Sequence, residues 1–89
     1  MEKHWLVYIL RCGDGTLYTG MTDDLPHRLE MHRAGKGAKY TRGRGPLTLV
    51  YRENADSSSA ALKLEYRIKQ LSRAEKLKLI ESYSKTAAQ

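Results

Sequence analysis

Two tyrosines, an arginine, a histidine and a glutamate give this chain a chemically complementary set. Tyr8 and Tyr18 stand ten residues apart, Arg28 follows ten further on, His32 four beyond that, and Glu65 lies far downstream. A phenol can pass a proton once it is activated. A guanidinium grips phosphate oxygens bidentately and stabilises charge on a scissile group. An imidazole titrates near neutrality, and a single carboxylate can anchor Mg²⁺ alongside waters and substrate phosphate. Together these groups could cut a phosphodiester. Each has a plainer reading as well. Tyrosine is a favoured strand residue, a lone histidine often fills a polar gap in a core, and Arg28 with Glu65 could form a structural ion pair.

The elements that must position these groups can be read along the chain. Residues 5–11, Trp-Leu-Val-Tyr-Ile-Leu-Arg, are apolar on both parities, the mark of a central strand covered on both faces. Gly13-Asp14-Gly15 is a turn signal before a second strand at 16–21. A three-residue loop, with Gly15 at positive φ, sets Tyr8 opposite Gly20 and Leu10 opposite Tyr18, so both phenols leave the same sheet face. An unbulged loop of two or four residues would split them. Asp23 or Asp24 caps a helix at 24–34 whose inward face carries Leu25, Arg28, Leu29 and His32. Residues 35–46 hold four glycines and a proline and read as a loop. A third strand follows at 47–52. Asp56 or Ser57 opens a second helix to about Leu71, with Ala61, Leu64, Ile68 and Leu71 as its stripe and Glu65 within it. Ser72 and Glu75 form a capping box for a short third helix. The order is β-β-α-β-α-α, an α+β domain over residues 1–83, with 84–89 expected to fray.

Glu65 is the sharpest single clue, since a carboxylate on an inward face needs a paired charge or a cation. Arg28 and His32, one helical turn apart, meet on a face otherwise given to leucine. The 89 residues carry a net charge of +6, and no acidic residue lies between Glu30 and Glu53, where Arg33, Lys36, Lys39, Arg42, Arg44 and Arg52 fall. That is a local footprint for phosphates; its bland alternative is a solvated charged loop. The candidate nucleic-acid contacts are Lys36, Lys39, Tyr40, Arg42 and Arg44. One cysteine, Cys12, excludes an internal disulfide framework and a cysteine-based zinc site. No run is long and apolar enough to span a bilayer, and the N-terminus leads straight into a strand, so a cytoplasmic address is the expectation.

The pieces also resemble the GIY-YIG nuclease superfamily, most closely its small single-domain bacterial branch, UPF0213. Val7-Tyr8 with Ile9 looks like the first half-motif, and Tyr18-Thr19-Gly20 like the second. The run from Gly20 to His32 resembles the segment with the catalytic arginine, and Leu64-Glu65-Tyr66 through Leu71 the segment with the metal-binding glutamate. Lys36-Gly-Ala-Lys-Tyr-Thr-Arg42 resembles a loop of the small branch. The resemblance spans residues 5 to about 81. It implies a three-stranded antiparallel sheet flanked by helices and an endonuclease using Mg²⁺ or Mn²⁺ on DNA, or on RNA as a related phosphodiester. One tyrosine would deprotonate water, with Tyr18 favoured and Tyr8 its supporter, although the two could exchange. Arg28 would stabilise the transition state, Glu65 hold the metal, and His32 position or activate a tyrosine. Leu6 and Thr19 replace the motif's glycine and isoleucine, which should leave the chemistry intact. Met21 and Leu77 stand where some relatives carry lysine and asparagine, so slow turnover is expected. Without a separate reading domain, the expected monomer would follow DNA structure or damage, as in DNA repair, rather than base sequence. Two alternatives remain: a nucleic-acid-binding module without catalysis, and an accessory subunit whose protein partner selects the substrate.

Overall fold

The computed structural model of the chain describes residues 4–87. Three strands, β1 (Leu6–Arg11), β2 (Leu17–Thr22) and β3 (Thr48–Asn54), form one antiparallel sheet in the order β2-β1-β3. Three helices complete the fold: α1 (Leu25–Arg33), α2 (Ser58–Lys69) and α3 (Arg73–Ala87). The β-β-α-β-α-α order and the α+β class are those expected from the sequence. No helix among the described residues is long and apolar enough to cross a membrane.

The β1–β2 hairpin takes the register on which the phenols depend. Cys12 N–H donates to Thr16 O (2.9 Å) and Gly15 N–H to Cys12 O (2.9 Å), which closes a loop of Gly13-Asp14-Gly15 with Gly15 at φ 85°. Tyr8 pairs with Gly20 and Leu10 with Tyr18. Since side chains alternate along a strand, β1 divides its residues between two layers. Leu6, Tyr8 and Leu10 pack with Leu25 of α1, while Val7 and Ile9 pack with Tyr51, Ala61 and Ile68. All five β1 residues from Leu6 to Leu10 are buried, as a central strand requires. On β3 the register shifts between Ile9 and Leu10, where Tyr51 faces Ile9 but Leu49 faces Leu10. Val50 is thus the extra residue of a bulge. The bulge lets Leu49 join the α1 layer while Tyr51 stays in the other.

Local chemistry sets the helix ends. Asp24 caps α1 by accepting from His27 N–H (3.2 Å), and Pro26 lies in the first turn, where its missing N–H costs nothing. Ser57 caps α2 through Ala60 N–H (3.0 Å). Ser72 and Glu75 make the reciprocal capping box expected of them, at 3.0 and 3.2 Å. Three expectations need correction. The loop at 35–46 contains a single 3₁₀ turn, Lys39–Thr41, stitched by Thr41 Oγ1 donating to Ala38 O (2.9 Å). The third helix is not short but runs 15 residues, Arg73–Ala87. Residues 84–87 continue that helix instead of fraying, and 88–89 lie outside the described residues. Tyr83 accounts for the length: its ring stands edge-on to Tyr51 at 5.7 Å, which fixes the late turns of α3 to the sheet.

Candidate active site

Tyr8, Tyr18, Arg28 and His32 gather on the α1 side of the sheet. Tyr8 is fully buried, and its hydroxyl lies 2.8 Å from His32 Nε2. His32 is 2% exposed, and its Nδ1 is 3.0 Å from Thr41 Oγ1. The direction of this relay follows from counting protons. Thr41 has one hydroxyl proton and gives it to Ala38 O, so it accepts from His32 Nδ1–H. Burial, and secondarily the charge of Arg28, pushes the His32 pKa below its usual 6.5, so the ring is neutral at pH 7. Nε2 then carries a lone pair and accepts from Tyr8 O–H. The proton of Tyr8 therefore points at His32, and its oxygen lone pairs are left for the site. Thr41 is a site residue that the sequence did not reveal. Its link to His32 depends on a loop conformation that a Gly- and Lys-rich segment does not specify.

Burial raises the pKa of Tyr8, and Arg28 opposes that rise. Arg28 itself is held above the ordinary guanidinium value, foremost by its approach to the Tyr8 phenol and more weakly by Tyr18. Its positive charge is thus near both phenols. Tyr18 differs from Tyr8 in being only half-buried. Its ring is held edge-on by His32 at 5.3 Å and stacked by Tyr40 at 6.0 Å. Two glycines make this crowding possible. A Cβ at Gly20 would fall 2.6 Å from the Tyr8 hydroxyl and 3.0 Å from the Tyr18 ring. A Cβ at Gly37 would fall 2.5 Å from His32 Nδ1, so only glycine lets the loop close over the imidazole.

Glu65 approaches from α2, on the other side of the sheet from α1. Its side chain is 16% exposed and pairs with Lys69 at 3.7 Å. The alternative pairing with Arg28 is not formed, and Arg28 faces the phenols instead. The Glu65 charge reaches the constellation, where it is one of the influences raising the Tyr8 pKa. Among the described residues no group of three or more His, Cys, Asp and Glu side chains is placed to hold a metal. A cation on Glu65 would therefore take one protein oxygen and complete its shell with water and phosphate, a donor set suited to Mg²⁺.

The loop residues divide. Lys36, Lys39 and Arg42 are exposed. Arg44 instead pairs with Asp14 of the hairpin turn at 2.6 Å and lies over the Tyr40 ring at 4.6 Å. Asp14, Arg44, Tyr40 and Tyr18 thus form a continuous ladder from the hairpin tip to the site. Hydrogen bonds from Thr16 and Arg44 hold the Asp14 carboxyl at about 2.

A constellation of this kind, built on a β-hairpin with an arginine and a histidine on the next helix, agrees with a family model described as the GIY-YIG catalytic domain, which matches residues 4–78. The chain belongs to the GIY-YIG family. Within it, the chain's relatives are UPF0213 proteins. One from Oceanobacillus iheyensis is 60% identical over 81 residues, covering 91% of this chain and 94% of the relative. One from Halobacterium salinarum is 60% identical over 70 residues, 79% of this chain and 91% of the relative. The solution NMR structure of a UPF0213 protein from Bacillus halodurans aligns with a TM-score of 0.57 at 49% identity, over 90% of this chain and 84% of that one.

Proposed function

We propose that this protein is a metal-dependent endonuclease that hydrolyses phosphodiester bonds in DNA, directed by structure or damage rather than by sequence. The observation that carries the reading is the division between the two phenols. Tyr8 is buried with its proton directed at a neutral His32, whereas Tyr18 is half-buried and its hydroxyl has only the approach of Arg28. Tyr18 is therefore the phenol within reach of a substrate water, beside a guanidinium that favours its phenolate, and the one to take the proton. His32 holds Tyr8, the second phenol, beside it, and Tyr8 keeps Arg28 in place. Arg28 meets the charge that develops on the phosphoryl oxygens, a task that suits a guanidinium beside both phenols. Glu65 would hold the divalent cation. When bound, that cation supplies Lewis-acid stabilisation of the leaving oxygen. Exposed Lys36, Lys39 and Arg42 give the flanking loop a charge that suits a nucleic-acid backbone.

The test is incubation of the pure protein with branched, nicked and single-stranded DNA, and with RNA, in Mg²⁺, Mn²⁺ and EDTA. Cleavage of a DNA form in the metal lanes alone is the expected result. Binding without cleavage on every substrate would sink the catalytic reading and leave a nucleic-acid-binding module. Cleavage that emerges only when a cell fraction is added would favour an accessory subunit.

A further inference from the structure

A recess adjoins Tyr18. Its volume is about 220 Å³, and it is lined by Leu17, Tyr18, Thr19, Tyr40, Lys69 and Lys76. Three features set it apart from an ordinary surface dimple. It draws lysines from two helices, Lys69 at the end of α2 and Lys76 in α3, and no carboxylate lines it. Its floor includes Thr19, which is 4% exposed and whose Oγ1 is buried without a hydrogen-bond partner. A buried hydroxyl left unpaired is uncommon and calls for an explanation such as an absent ligand. Finally, it shares Tyr18 with the candidate active site, so an occupant of the recess lies next to whatever reacts there.

We propose that Thr19, Lys69 and Lys76 form a phosphate subsite that holds a backbone phosphate flanking the scissile one. The proposal rests on the nuclease reading for the word scissile, but the subsite itself needs only nucleic-acid binding. The chemistry matches. Two lysines and a threonine line a recess that no carboxylate lines, and a phosphate offers acceptors to both ammonium groups and to the hydroxyl. Lys69 is half-exposed and only loosely paired with Glu65 at 3.7 Å, so its ammonium can turn from the carboxylate towards an incoming phosphate. Lys69 would thus connect the two halves of the site. It attends Glu65 when the recess is empty and the flanking phosphate when a strand is bound. Neither Lys69 nor Lys76 belongs to the basic loop that the sequence brings to notice. Their convergence exists only because α2 packs against β2 and α3 begins beside the hairpin turn, where Arg73 donates to Gly15 O at 3.0 Å.

The experiment measures binding of a short fluorescein-labelled deoxyoligonucleotide in EDTA, across a salt series, for the parent protein and for Lys69→Gln, Lys76→Gln, Thr19→Val and Lys85→Gln. Lys85 pairs with Glu81 on α3 and lies outside the recess. The parent, Lys76→Gln and Thr19→Val are also followed by ¹H–¹⁵N NMR as the oligonucleotide, inorganic phosphate or a mononucleotide is added. Lys69→Gln and Lys76→Gln should each reduce the log-log salt slope by roughly 0.7–0.9, one phosphate contact apiece. Thr19→Val should weaken binding without lowering the melting temperature, because the valine fills the same space without an unpaired hydroxyl. The oligonucleotide should shift the Thr19 and Lys76 amides. A Lys76→Gln slope no different from that of Lys85→Gln overturns the subsite. Equal occupancy by the mononucleotide overturns its assignment to a polymer strand. None of these readouts requires cleavage. Altered slopes in a protein that never cuts would keep the subsite and remove the nuclease reading; normal cutting with unaltered slopes would do the reverse.

Discussion

The two faces of the sheet are built from the same strand to opposite ends. On one, Val7 and Ile9 meet Tyr51, Ala61 and Ile68 in close apolar packing. On the other, the alternate residues Leu6, Tyr8 and Leu10 meet α1, and the layer contains a buried phenol, a buried imidazole and an arginine. The first face stabilises the fold through burial, each large aliphatic side chain contributing about 1.5–3 kcal/mol. The second carries polar groups that must all be paired to be tolerated, and the Tyr8–His32–Thr41–Ala38 relay does that pairing. The lesson is a division of labour within β1. The odd-numbered Val7 and Ile9 serve stability alone, whereas the even-numbered side sets Tyr8 of the candidate chemistry between the buried Leu6 and Leu10.

The largest expected effects lie on the polar side. Glu65→Gln keeps the shape and removes the charge, so metal-dependent cleavage should fall to background while the melting temperature stays near that of the parent. Arg28→Ala should slow cleavage by about 10²–10³-fold, the usual result of removing one transition-state donor. Nicking assays run beside thermal melts check both. A pair of variants that lose many degrees of melting temperature and no activity would mean that the polar face is structural after all.

On the apolar side the expected pattern is reversed. Ile9 is fully buried, and Ile9→Ala should lower folding stability by about 2–5 kcal/mol through lost transfer energy and a residual cavity. The activity per folded molecule, measured well below the melting transition, should be close to that of the parent. Loss of activity in proportion to Arg28→Ala would dissolve the distinction between the faces.

How far this division could be read from the sequence depends on the range of each contact. The hairpin register was legible, because Gly13-Asp14-Gly15 fixes the turn within a few residues and everything else follows by alternation. The inward placement of Arg28, His32 and Glu65 was legible from helical periodicity. The Tyr40–Tyr18 stack, the Arg44–Asp14 pair and the His32–Thr41 contact were not. Each joins the 35–46 loop to a distant element, and no local propensity encodes such a meeting. The same limit hid the length of α3, which depends on Tyr83 reaching Tyr51 across the fold.

The buried imidazole gives the comparison a pH handle. His32 is neutral in the folded protein with its pKa held below 6.5, while in the unfolded chain it takes up a proton near that value. Below pH 6.5 the unfolded state therefore binds more protons, and stability falls with pH until the folded-state pKa is also passed. Above pH 6.5 this contribution is present in full. Melting temperatures measured between pH 8 and pH 5 should decline below about 6.5, and His32→Gln should flatten that decline. A decline of equal depth in the variant would assign the effect to other groups.

The smallest expected effect tests whether the polar face extends to its flanking loop. Lys39 and Arg42 are exposed and flank Tyr40, whose ring stacks on Tyr18, so a strand approaching the phenols would pass them. Arg44 is a poorer candidate than its charge suggests, because it is already paired with Asp14 and laid over Tyr40. Replacing Lys39 and Arg42 together by alanine should weaken DNA binding for all sequences alike and lower the log-log salt slope by roughly 1–2, the value for about two phosphate contacts. Melting should hardly change, since neither side chain is buried. Fluorescence anisotropy across a salt series reads the slope directly. An unchanged slope would confine the strand to the Tyr18 side of the recess and leave the loop with one task, that of closing Gly37 and Thr41 over His32.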